Sequence, residues 1–353
     1  MAQINKPSDY FNTVLWTGDN TDKTISGVGF QPDWVWWKQR NGTDDHRLLD
    51  SVRGEGSASY KLLFSSGTYA EFDGNDNGGS QGNINAITSD GFSGVQGTTG
   101  WNNWNGSGLN YVGWNWLGAN GTASNTDGSI TSSVSANTTS GFSIVSYIGT
   151  GANATVGHGL GVAPKMVIIK NRDSATNWLV YHASLGNANS LVLNTTGASF
   201  SSGDWQNTTP SSSIIYLSGG DAINKSSSNQ IAYFFADVQG YSKFSSYIGN
   251  GNADGPFFYT GFKPAFVMIK ASSRTGDWVM YDNKRSVFNI VTKRLNANLN
   301  GAEDTDNFLD FCSNGIKIRN TYGSHNTSGE TYIYMAFAEN PLVGTNNIPA
   351  TAR

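Results

Sequence analysis

The chain predicts an all-β fold of three tandem, related, jelly-roll-like β-sandwich domains, and three observations carry that prediction. One heptapeptide recurs as Pro32 to Lys38 (PDWVWWK), Pro164 to Lys170 (PKMVIIK) and Pro264 to Lys270 (PAFVMIK), and Tyr147-Ile148-Gly149 and Tyr247-Ile248-Gly249 precede its later copies. Trp178 with Tyr181 and Trp278 with Tyr281 follow those two copies, all at a shift of 100 residues. A period that long marks a repeated domain rather than a solenoid turn, because each unit is large enough to close a core. Composition is the second observation: the 353 residues include 43 Gly, 11 Trp, 15 Tyr and 18 Phe, and only 14% are charged. Aromatic side chains suit a pleated, half-buried surface, and Gly and Asn supply turns. Third, strand-like runs recur about every 8 to 12 residues with turn signals between them, as in a sandwich.

The first unit spans residues 1–120. It opens with Tyr10 to Trp16, reaches Gly29-Phe30-Gln31-Pro32 and closes on Tyr111 to Trp116. From Pro32 to Pro164 is 132 residues against 100 for the next interval. This unit and its linker therefore carry about 30 extra residues, placed in 65–110 and 117–139. Residues 121–140 are almost wholly small and polar and read as a linker or an extended edge segment. The second unit covers 141–240. The third covers 241–353, with an extended tail holding Pro341 and Pro349.

The signature strand is apolar on both faces, as in Met166-Val167-Ile168-Ile169 and Phe266-Val267-Met268-Ile269. Such a run belongs to a central strand covered on both sides. Its proline stands at the start, where a missing N–H harms the ladder least. The segments beginning at Trp178 and Trp278 are its natural antiparallel partners.

The net charge is −4, and the chain has no long basic run. Nucleic-acid binding lacks its electrostatic footprint, and no apolar stretch reaches the roughly 20 residues that span a bilayer. The first ten residues contain no apolar signal-peptide core. The one cysteine, Cys312, excludes an intrachain disulfide and reads as a small buried hydrophobe.

Comparing the copies separates scaffold from chemistry. Glycine, proline and apolar positions persist, while Asp50 becomes His182 and then Asp282, and His46 becomes Trp178 and Trp278. A reaction repeated in every unit is thereby disfavoured, and no catalytic residue is assigned. Lys38, Lys170 and Lys270 are the polar exception, expected to lie along aromatic surface and pair with acids such as Asp237 or Glu339. His46, His158, His182 and His325 form no metal spacing, so neither metal nor cofactor is expected. Asp73 to Gly78 matches half of a calcium loop, but Ile84 stands where the bidentate glutamate belongs. Asp44, Asp45, Asp50, Glu71, Asp277, Asp282 and Glu303 could serve glycoside hydrolysis, yet no spacing singles out a pair. Trp101, Asn102, Asn103 and Trp104 form the best binding hint, because indoles flanked by amides present a face on which a sugar stacks.

Lys6-Pro7-Ser8-Asp9-Tyr10-Phe11, Val156 to Pro164, Gly261 to Val267 and Tyr334 to Glu339 also carry a resemblance that covers nearly the whole chain. The sequence resembles a family of virion structural proteins of marine tailed bacteriophages, of the cyanophage and pelagiphage kind, built from a repeated β domain of unknown function. The resemblance implies a virion component made in the host cytoplasm, a homo-oligomer with a trimer favoured, and other virion proteins as partners. A tail fibre or adhesin touching host-surface glycans is the expected role. A capsid decoration or head fibre, and a depolymerase tailspike, are the alternatives. No functional residues come with the resemblance.

Overall fold

The computed structural model describes residues 4–56, 59–73, 82–97, 104–343 and 351. The protein is all-β: among the described residues, strands are interrupted only by turns, two 3-10 turns and two four-residue helices.

Three antiparallel sheets share one strand order. The first runs Phe11–Thr17, Asn110–Trp116, Trp34–Gln39, Arg47–Asp50 and Leu63–Phe64. In the second the order is Phe142–Ile148, Asn229–Phe235, Met166–Asn171, Leu179–His182 and Asn189–Val192. The third repeats it with Ser242–Ile248, Thr331–Pro341, Phe262–Ala271, Trp278–Asp282 and Val291–Asn296. The heptapeptide forms the middle strand each time. Its register sets Val167 opposite Tyr181 and Val267 opposite Tyr281, so Trp278 begins its neighbouring strand and Trp178 immediately precedes the other.

Every residue of the three middle strands is buried, because both faces are covered. One face carries Val35 and Trp37, Val167 and Ile169, or Val267 and Ile269, each pair entering a core confined to its own segment. Small strand pairs cover those outer faces: Lys23–Ile25 on Gly91–Gln96, Ala154–Gly157 on Ile214–Leu217, and Phe257–Tyr259 on Gly315–Ile318. The opposite face carries Trp34 and Trp36, Met166 and Ile168, or Phe266 and Met268, and all six join a single cluster. The units therefore are not three self-contained domains. A unit has only enough chain to cover one side of its sheet, and the exposed apolar sides cover one another.

Hydrogen bonds at corresponding positions close this arrangement into a ring. Trp178 Nε1 donates to Phe64 O at 2.9 Å, and Trp278 Nε1 donates to Val192 O at 2.9 Å. In the third place the counterpart is His46, whose Nδ1 accepts from Trp36 Nε1 at 2.9 Å within its own segment. A second set has Tyr233 Oη donating to Asp50 Oδ2 at 2.7 Å and Trp114 Nε1 donating to Asp282 Oδ2 at 3.1 Å. His182 Nε2 completes it against the Tyr334 carbonyl at 3.3 Å. Each sheet thus touches both others.

Residues 121–140 form the extended edge segment of the two alternatives, not a linker. Ala123–Asn125 and Ser132–Asn137 extend the second sheet as edge strands, with Val134 opposite Val145 and buried in the core of that segment. The polar residues between them face solvent, which is why the composition reads as a linker. Cys312 is half-buried rather than buried, and burial raises its thiol pKa, with Asp310 adding to the shift.

Candidate functional site

The three repeated lysines are fully buried and do not pair with acids. Lys38 Nζ donates to the carbonyls of Gln39 and Gly42, Lys170 Nζ to those of Asn171 and Ser174, and Lys270 Nζ to those of Ala271 and Thr196. Burial pushes each ammonium down to about 8. Asp237 and Glu339 instead pair with Lys243 and Lys263. Lys38 and Lys170 cap carbonyls of the turn by which the chain leaves the middle strand, while Lys270 caps one such carbonyl and one from the second segment.

The candidate carboxylates are bound into the ring. Arg53 Nε binds Asp50 at 2.5 Å and its Nη1 binds Glu71 at 3.2 Å, while Glu71 also takes Arg172 of the second segment in bidentate fashion at 2.7 and 2.8 Å. Burial opposes ionisation of Glu71, but the two guanidiniums outweigh it and hold its pKa low. The third segment repeats the device: Arg285 binds Asp282 at 2.5 Å and Glu303 at 3.2 Å, and Glu303 takes Arg40 of the first segment. Asp44 pairs with Arg47, Asp45 accepts from Ser66, and Asp277 accepts from Asn298. These acids hold segments and turns together. The sequence signal was the Asp-x-x-Arg spacing shared by Asp50 with Arg53 and Asp282 with Arg285.

Trp104 is buried, so it is unavailable to stack on a sugar. Its Nε1 donates to Val95 O at 2.8 Å, and its carbonyl accepts from Trp16 Nε1 at 3.0 Å. Ile223 and His325 fill the same place, their carbonyls accepting from Tyr147 Oη and Tyr247 Oη. The indole belongs to the scaffold because its cover comes from residues distant in sequence. Trp101, Asn102 and Asn103 lie outside the described residues, as does most of the calcium-like loop; its last position, Ile84, is a buried strand residue. Trp104→Ala is expected to lower stability by about 3–5 kcal/mol. Thermal unfolding checks this, and an unchanged midpoint would return Trp104 to the binding hypothesis.

An open groove of about 640 Å³ lies at the junction of the second and third segments. One wall is the hairpin joining the two sheets, where Val238 bridges to Ser242 across Gly240 with φ of 80°. Asp237 opens that hairpin, accepting Phe244 N at 2.8 Å and pairing with Lys243 at 3.1 Å. A second wall is the turn at Thr138 and Thr139, both exposed, with Val162 beside it in the groove lining. The third is Tyr259, which is 58% exposed at the end of a strand whose inward residue, Phe258, is buried. Tyr334 Oη donates to the Tyr259 carbonyl, and the N–H groups of Thr260 and Gly261 both donate to Asn314 O. The ring thus stands on a fixed backbone.

Sequence reasoning passed over this site, although a signal was present. Five residues before each signature proline stand Gly27, Gly159 and Tyr259, so an exposed aromatic occupies a place where the other copies have glycine. The arrangement offers a neutralised ion pair, hydroxyls, an amide from Gln239 and one aromatic face. Such a wall suits recognition of a small polar ligand with an apolar side.

The family described as Domain of unknown function (DUF7483) matches residues 6–341. No curated protein and no solved structure matches the chain.

Proposed function

The chain belongs to the DUF7483 family, and from that premise we propose that it is a non-enzymatic structural component of a tailed-bacteriophage virion, part of a tail fibre or adhesin that contacts host-surface glycans. The resemblance to marine phage virion proteins suggests the particle. The observation that carries the structural role is that the repeated ionisable residues form the joints of one body: Asp50, Arg53 and Glu71, then Asp282, Arg285 and Glu303. Residues spent on internal joints serve rigidity, which an attachment device under load requires. Contact with a host is assigned to surface that the copies do not share, foremost the groove at Tyr259.

In the particle the protein would assemble with other virion proteins, as a homotrimer in the favoured arrangement. Excess purified protein is expected to compete with phage for adsorption to host cells, and immunogold label is expected at the tail. Label on the head with adsorption unchanged would replace this reading with a capsid decoration. Release of reducing ends from host polysaccharide would replace it with a depolymerase.

A further inference from the structure

We infer that the groove between the second and third segments binds a neutral, methyl-bearing pyranose, stacked on Tyr259. This rests on the adhesin reading and gives it a site and a ligand class. Four features of the groove select that class. Its volume of about 640 Å³ lies within the ordinary range of small-molecule sites, ~300–1,000 Å³.

Tyr259 supplies the platform. A tyrosine ring on a strand offers a large apolar face at little entropic cost, because only two side-chain torsions need fixing. Here the backbone beneath it is held from both sides, by Tyr334 Oη at the carbonyl and by the shared Asn314 acceptor just after it. The flat C–H face of a pyranose covers such a ring while its equatorial hydroxyls point outward to polar neighbours.

Charge decides against an acidic sugar. Asp237 and Lys243 stand 3.1 Å apart and neutralise each other, with side chains 28% and 39% exposed. A carboxylated sugar would have to take Lys243 from Asp237 and leave the aspartate facing a second anion. A neutral sugar keeps the pair intact, donating one hydroxyl to the carboxylate and accepting from the ammonium with another.

The apolar side fixes the substituent. Val162 is 50% exposed, and both it and Val238 line the groove. A methyl group placed between them, from an N-acetyl group or a 6-deoxy carbon, leaves water for apolar surface.

Saturation-transfer NMR on the full chain with N-acetylglucosamine and rhamnose as free sugars tests the inference, with glucose and glucuronic acid as comparisons. Binding of one or both methyl-bearing sugars above the comparisons is expected, with strongest transfer to the N-acetyl or 6-deoxy methyl protons. Tyr259→Ala should weaken that binding by about tenfold or more, with an unchanged thermal midpoint because the ring is exposed. Equal binding by Tyr259→Ala, or preference for glucuronic acid, overturns the assignment while the adhesin reading stands. Absence of binding by any probe overturns the ligand class, and adsorption competition then judges the adhesin reading separately.

Discussion

Lowering the pH from 7 to 5 should remove most of the stability of this protein, well before its carboxylates are protonated. All four histidines are buried. Burial lowers the pKa of His158 and His182 to about 4 and of His325 to about 3, and it takes His46 well below the ordinary value. The unfolded chain binds a proton at each near pH 6.5, whereas the folded chain resists until about pH 4, so the unfolded state binds more protons throughout that window. The histidine contribution to stability is therefore complete above pH 6.5 and falls as pH drops towards 4. At pH 5 the loss is about 2 kcal/mol per histidine, and several together approach the ~5–15 kcal/mol that typically holds a folded protein. The near-UV circular dichroism melting midpoint should drop steeply between pH 6.5 and 5. A midpoint unchanged down to pH 4.5 would sink the idea. His182→Gln should shallow the slope, since its donor to Tyr334 O is retained in an amide that does not titrate.

Arg285→Leu should cost about 3–5 kcal/mol, read as a fall in the urea midpoint. The guanidinium is fully buried, binds Asp282 and Glu303, donates to Met280 O and lies over the Trp114 ring at 5.5 Å. Its removal leaves the Asp282 carboxylate buried with Trp114 Nε1 and local backbone N–H groups as its remaining donors. The cost is that of an uncompensated charge rather than the worth of one ion pair. Adding Asp282→Asn should recover part of the loss, because a neutral amide tolerates the site better. A single-variant loss below about 1 kcal/mol would show that the pair behaves like a surface salt bridge. Arg53→Leu should repeat the result in the first segment, where the same three contacts recur.

How much of this was legible in the sequence depends on the distance over which each contact acts. The all-β class and the signature strand were legible, since Met166 to Ile169 is apolar on both faces and needs no partner to say so. The common core was not. A run such as Val35-Trp36-Trp37 demands two covers but cannot say whether the second comes from its own unit or from another. Trp104 misled for a related reason: its neighbours in sequence are polar, while Trp16, which bonds its carbonyl, is far away in the chain. Reading Trp16-Thr17-Gly18 as the counterpart of Tyr147-Ile148-Gly149 would have exposed the equivalence. The lysines were legible as scaffold but not as carbonyl caps, because sequence does not show which way a turn folds back. Tyr259 was legible as a departure from glycine, yet a single departure among many carries little weight without the groove around it.

The covalent continuity of the three sheets has an evolutionary consequence. In an assembly of three identical chains, every substitution at a joint is felt three times and must suit all three joints at once. Here each joint is encoded separately. The Glu71–Arg172 and Glu303–Arg40 clamps correspond to a joint where Ser199 meets the Ser272 carbonyl with no ion pair between them. One interface can drift, weaken or acquire a new partner while the other two preserve the fold, so a symmetric body can carry a singular face such as the one at Tyr259.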